Sequence, residues 1–207
     1  MTAERRTAHG ERRPPVIVGI TGSSGVTLAV RTVEALGDLG VPMHIVYTQA
    51  CRQVWPDELG RQISDDLAAW KERYSARVFN PDDFRAPASS GSFRTAGMII
   101  VPCSMRTVSA IAHGSSSNLL ERAADVILKE NRPLVIVPRE TPLSVIHLEN
   151  LLALARLGVR VVPPMPQFYL RPQTMEEATD LMARRALSVL GFDEALPDAS
   201  RWRGDEA

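Results

Sequence analysis

The sequence predicts a doubly wound α/β fold, Rossmann- or flavodoxin-like: a parallel sheet between two helix layers, in a single domain. Three observations carry that prediction. Short β-branched apolar runs alternate regularly with helical patterns, which implies right-handed crossovers and a sheet covered on both faces. No internal repeat or linker divides the chain. Its 207 residues are enough to bury roughly 70 % of the surface that the unfolded form exposes.

The elements follow in order. Val16 to Ile20 is continuous, β-branched and bounded by turn residues, which predicts a buried strand. A helix is expected from about Val26 to Leu39, closed by Gly40 as a left-handed cap. Met43 to Thr48 reads as the second strand, residues 50–75 have polar helical character, and Ala76 to Phe79 is a weak third strand. Asn80 to Thr95, rich in proline, serine and glycine, is a loop long enough to act as a flap. Strand Gly97 to Val101 and a small-residue helix around Val108 to Ala112 come next. Asn118 caps a helix running to Glu130, with Glu121 as its capping-box partner. Pro133 to Val137 is a strand, Leu143 to Leu157 a helix and Val159 to Val162 the sixth strand. The last helix starts at Thr174, with Glu177 as box partner, and stops before Gly191.

Composition excludes several classes of function. Lysine plus arginine balances aspartate plus glutamate, 24 against 24, so no global field recruits nucleic acid or membrane. The two cysteines, Cys51 and Cys103, form no CxxC pair and have no nearby histidine spacing, which argues against a zinc site or a disulfide framework. A reducing cytoplasm fits, and no stretch approaches the roughly 20 apolar residues of a membrane span. Residues 1–15 are polar and arginine-rich without an apolar core, the pattern of a disordered leader rather than a secretory signal. The α/β domain is expected over residues 16–192, and residues 193–207, with Trp202, form a tail that braces a neighbour or frays.

Three strand-to-helix turns carry the chemistry. In an open α/β sheet, ligands bind at the carboxyl ends of the strands. Thr21-Gly22-Ser23-Ser24-Gly25 has glycines that admit a phosphate and serines that donate to it, although such a turn also serves merely to start a helix. The second strand ends in Tyr47-Thr48-Gln49, without the carboxylate that holds a dinucleotide's ribose; that favours a simpler phosphate ligand such as FMN, with Thr48 as a donor. Pro102-Cys103-Ser104-Met105-Arg106-Thr107 supplies hydroxyls and a guanidinium. Cys103 lacks a partner histidine and reads as a buried structural thiol. Arg139 and Glu140 lie side by side between Pro138 and Pro142. Arg122, Asp125 and Lys129 fall near one helical face, either a ligand grip or a solvated stripe. His113 and His147 read as packing or helix-end residues.

These segments resemble the UbiX family of flavin prenyltransferases from about Val16 to Phe192. The most specific stretches are PCSMRT, then NLLERAADVILKENRPLVIVPRETPLSVIHLENLLALARLG, then PPMPQFYLRPQT. The resemblance implies metal-independent transfer of a dimethylallyl group from dimethylallyl monophosphate to reduced FMN. The prenylated FMN would then serve UbiD-type decarboxylases. It implies that Gly22, Ser23, Ser24, Thr48, Ser104, Met105, Arg106, Thr107 and Arg139 hold FMN. Arg122, Lys129, Glu140, Tyr169 and Arg185 would grip the prenyl phosphate, with Ser24, Glu58 and Glu140 as the catalytic set. Family members form homo-oligomers, commonly dodecamers, with sites built at subunit contacts. The sequence departs from the family pattern at Ser23, where alanine is common, at Arg106, and over Val26 to Ala29, which lacks an aromatic. Flavin-dependent cysteine decarboxylases share the fold, but neither their first-helix histidine nor their PxMNxxMW motif is visible. A flavin-carrying partner subunit of a decarboxylase is the non-catalytic alternative.

Overall fold

In the computed structural model, which describes residues 13–200, every strand pairs in parallel. They are β1 (Val16–Ile20), β2 (Met43–Tyr47), β3 (Arg77–Phe79), β4 (Gly97–Cys103), β5 (Leu134–Pro138) and β6 (Arg160–Val161). The order is β3-β2-β1-β4-β5-β6, so the winding direction reverses between β1 and β4. That crevice is where a doubly wound fold receives its ligand. Seven α-helices connect and follow the strands: α1 (Val26–Asp38), α2 (Cys51–Leu59), α3 (Ile63–Tyr74), α4 (Met105–Ala112), α5 (Leu119–Lys129), α6 (Val145–Arg156) and α7 (Met175–Leu190).

Alternate strand residues feed two separate cores, as a pleat of period two requires. Val16, Val18, Ile20, Ile99 and Val101 pack against α1, α2, α3 and α7. Ile17, Met98, Ile100, Leu134 and Ile136 pack against α4, α5 and Leu154 of α6. The sheet therefore stands between α7 and α5. His44 is buried on the second face, stacked on Phe93 with ring centroids 5.0 Å apart and tilted against Phe79. Burial, aided by the charge of Arg77, pushes its pKa down to about 4.

Local chemistry sets the boundaries. The expected polar helix of residues 50–75 is two helices, because Gly60 adopts a left-handed conformation and closes α2. β4 continues through Pro102 to Cys103, and α4 begins at Met105, earlier than expected, because Ser104 caps it. α6 begins later than expected, at Val145, where the Ser144 hydroxyl accepts from the His147 amide and His147 Nδ1 accepts from the Ser144 amide. Asn118 and Thr174 cap α5 and α7 as anticipated. Their glutamates bond one residue further back than a capping box requires: Glu121 takes the Ser117 amide at 2.8 Å and Glu177 the Gln173 amide at 2.6 Å.

The flanks are partly attached. Arg13 pairs with Glu194 at 3.1 Å, and the Pro15 carbonyl accepts from the Ala96 amide. Phe192 and Ala195 join the core beside α1 and α7. Residues 1–12 of the expected leader and 201–207 of the expected tail, Trp202 among them, lie outside the described residues. On α6 only Asn150 and Leu154 are buried; Val145, Ile146, Leu148 and Leu152 are between 49 % and 70 % exposed, an apolar stripe that none of the described residues covers. Among the described residues, no helix is long and apolar enough to cross a membrane.

Candidate active site

The three turns meet at the carboxyl edge, stitched together by bonds between residues far apart in sequence. Thr21 is the hub: its hydroxyl donates to the Pro102 carbonyl at 2.8 Å and accepts from the Ser104 amide at 2.9 Å. The Ser23 hydroxyl donates to the Arg139 carbonyl at 3.1 Å, Arg139 Nε donates to the Ser24 carbonyl at 3.2 Å, and the Arg139 amide donates to the Cys103 carbonyl at 3.2 Å. The Gly22 amide donates to Thr48 Oγ1 at 3.2 Å. A side chain at Gly22 would run into Ala50, whose carbonyl carbon would lie 2.6 Å from the new Cβ, so this turn accepts only glycine.

The two helix starts differ in charge. At α1 the N-cap is Gly25, with φ 94° and no side chain to cap with. Glu58 does the capping: its carboxylate accepts the Gly25 amide at 3.0 and 2.9 Å and the Val26 amide at 3.0 Å. One anion therefore already sits on the first helix dipole. At α4, Ser104 Oγ accepts the Thr107 amide at 3.3 Å and lies 3.0 Å from Thr107 Oγ1, with no acidic residue in the first turn. Met105 and Thr107 are buried there and Arg106 is exposed. A ligand phosphate is better placed at α4 than against the Glu58 carboxylate. The Cys103 thiol is fully buried and pushed far up by desolvation, which leaves it neutral and poorly nucleophilic; burial likewise raises Cys51 to about 11.

Of the prenyl-phosphate residues expected from the resemblance, those on α5 and the one on α7 lie on opposite faces of the sheet. Arg122 pairs with Asp125 at 2.7 Å and donates to the Ser89 carbonyl at 3.2 Å, while Lys129 turns to Glu130 at 2.7 Å. Both cations belong to α5. Arg185 belongs to α7, on the opposite face of the sheet, where Nη1 lies 3.5 Å from Ser188 Oγ. Tyr169 is 73 % exposed on a single turn of 3-10 helix, Phe168–Leu170. Glu140 is exposed, with Oε1 accepting the Thr141 amide at 3.0 Å. His113 and His147 are helix-end residues: His113 Nδ1 lies 2.8 Å from the Ser109 carbonyl at the end of α4, and His147 closes the cap of α6. Among the described residues, no group of three or more His, Cys, Asp or Glu is placed to hold a metal ion. Sequence reasoning overlooked Thr21 as a bridging residue; a threonine directly following the first strand, ahead of the glycine, was the available signal.

Known proteins match this arrangement. Residues 4–185 fit the Flavoprotein family model. The flavin prenyltransferase UbiX of Halalkalibacterium halodurans is 47 % identical over 194 residues, covering 91 % of this chain and 93 % of that protein. The crystal structure of a dodecameric FMN-dependent UbiX-like decarboxylase from Escherichia coli O157:H7 superposes with a TM-score of 0.84 at 44 % identity, covering 92 % of this chain and 100 % of that one. AnUbiX, solved in complex with FMN and dimethylallyl pyrophosphate, gives the same TM-score of 0.84 at 39 % identity, covering 93 % of this chain and 99 % of that one. With its stitched sheet edge and these likenesses along nearly its whole length, the chain belongs to the flavoprotein family and, within it, to the UbiX-like flavin prenyltransferases.

Proposed function

We propose that this protein transfers a dimethylallyl group from dimethylallyl monophosphate to reduced FMN, making a prenylated cofactor for UbiD-type decarboxylases. The observation that carries the reading is the joining of the three turns at the crevice between β1 and β4, Thr21 to Ser104 and Ser23 to Arg139. That edge fits FMN. Gly22 lets the first turn pack against the Ala50 backbone, α4 offers hydroxyls and amides without an opposing acid, and β2 ends without a carboxylate for a second ribose. When bound, FMN supplies the nucleophilic ring atoms that accept the prenyl group.

The remaining work falls to this chain's side chains. Breaking an allylic carbon–oxygen bond leaves a phosphate that must be neutralised as its charge develops. Arg122, Lys129 and Arg185 do this in place of a divalent ion, the arginines through their planar two-pronged donors, with Tyr169 and Glu140 orienting the same group. Glu58, held on the amides of Gly25 and Val26, stands one residue from Ser24 and gives it a proton acceptor. Because α5 and α7 lie on opposite faces of one sheet, the grip is completed only between copies of the chain. The uncovered stripe on α6 supplies an apolar surface for such packing, and a dodecameric relative supports a homo-oligomer of that kind. Balanced charge and two buried thiols support a cytoplasmic setting.

The test is incubation with reduced FMN and dimethylallyl monophosphate, with and without a chelator, followed by mass measurement of the bound flavin. A gain of one prenyl unit in both arms is expected. Unmodified FMN in every arm would overturn the assignment and favour a flavin carrier.

A further inference from the structure

The flap between β3 and β4 is fastened by cations to α5 and to the turn that follows it, and the second of these, Arg132, has no part in the proposed reaction. Arg132 is largely buried, its side chain 18 % exposed. It donates Nη1 to the Phe93 carbonyl and Nη2 to the Gly91 carbonyl, both at 2.6 Å. Phe93 is held from its other side by its stack on His44. Upstream in the same flap, the Ser89 carbonyl accepts Arg122 Nε, so the position of the flap sets the direction of that guanidinium. Between these two anchors Gly91 comes so close to α5 that an added Cβ would meet Glu130 Oε1 and lie 2.8 Å from Lys129 Nζ. Glu130 is shared in turn: it pairs with Lys129 at 2.7 Å and lies 3.8 Å from Arg132.

We infer that Arg132 is a positioning residue for the prenyl donor, holding the flap against α5 so that Arg122 and Lys129 are presented to the donor's phosphate. The inference rests on the proposed role of those two cations. Two effects follow from its chemistry. Two short charge-assisted bonds fix the backbone of the flap, which in turn fixes the partner of Arg122. The Arg132 charge also draws on Glu130; without it, Glu130 is left wholly to Lys129 and neutralises a cation that the phosphate needs.

The experiment compares Arg132→Gln, Arg132→Lys, Gly91→Ala and Arg122→Ala in the wild-type oligomeric protein, reading KM for dimethylallyl monophosphate, kcat and the Kd for FMN. Arg132→Gln is expected to raise the donor KM and lower kcat, together about tenfold in kcat/KM, the equivalent of losing one charge-assisted bond, with the FMN Kd within about twofold. Arg132→Lys should restore part of the loss, and Gly91→Ala, whose Cβ displaces the ends of the Glu130 and Lys129 side chains that face the flap, should reproduce part of it. If Arg122→Ala raises the donor KM while Arg132→Gln and Gly91→Ala do not, the positioning role is wrong and the proposed function stands. A loss of FMN affinity in step with the fall in kcat/KM in Arg132→Gln would also overturn it, since that is the mark of general unfolding. An unchanged donor KM in Arg122→Ala would remove the donor-binding role of α5 and this inference with it.

Discussion

Glu58→Ala separates two roles that converge on one carboxylate. In the folded chain that carboxylate satisfies the first amides of α1, and Gly25 at the N-cap offers no side chain to replace it. Loss of a helix N-cap costs about 1 kcal/mol, and loss of a negative charge from a helix start adds about 0.5 kcal/mol at an exposed position. At about 3 °C per kcal/mol for a domain of this size, the melting temperature should drop by roughly 4–5 °C. Glu58→Gln keeps a carbonyl oxygen for one amide and loses only the charge, so it should fall by about a third as much. The assay is thermal unfolding followed by circular dichroism on the three proteins, with prenyl transfer measured alongside. If Glu58→Ala melts within about 1 °C of the wild type, the capping contacts contribute nothing and the argument from helix-end chemistry is refuted. Prenyl transfer lost in Glu58→Gln at nearly unchanged melting temperature would assign the proton-accepting role to the same group.

Gly22→Ala should weaken FMN binding by about 5- to 150-fold, because relieving the clash with the Ala50 backbone costs about 1–3 kcal/mol of turn distortion; flavin fluorescence titration reads this directly, and an unchanged Kd would show that the turn yields freely. His44 has a folded pKa near 4 against an ordinary 6.5, so the unfolded chain takes the proton first and stability falls as pH drops through that window, with no effect above it. Between pH 7 and pH 5 the loss should be about 2 kcal/mol in urea unfolding, and His44→Phe should remove that part of the slope. Lys129→Ala and Arg185→Ala should each be inactive alone. Dissociated, mixed in equal amounts and reassembled, they should recover about a quarter of wild-type activity if each site draws on two copies, and none if both groups act from one chain.

Much of the architecture was legible because it is locally encoded. Buried parallel strands such as Val16–Ile20 and Leu134–Pro138 announce themselves as unbroken apolar runs, and Asn118 and Thr174 mark helix starts through their own side chains. The start of α4 was misjudged because Pro102 reads as a break, whereas here it lies within β4 and Ser104 caps the helix at once. The turns of the site were visible as polar interruptions at strand ends. What joins them was not: Thr21 to Ser104 spans 83 residues and Arg139 to Ser24 spans 115, and no local pattern encodes such a bond. The separation of Lys129 from Arg185 was hidden for a related reason. Helical spacing gives the face of a helix, but the side of the sheet on which that helix lies is a property of the crossovers.

The bare flank of α6 has a consequence for how this protein must be handled. A solitary copy carries four large aliphatic groups of α6 that none of the described residues covers, so dilution should make it less stable. If turnover needs the assembly proposed above, purification at low concentration would select against it, and measured rates should climb more steeply than linearly with enzyme concentration.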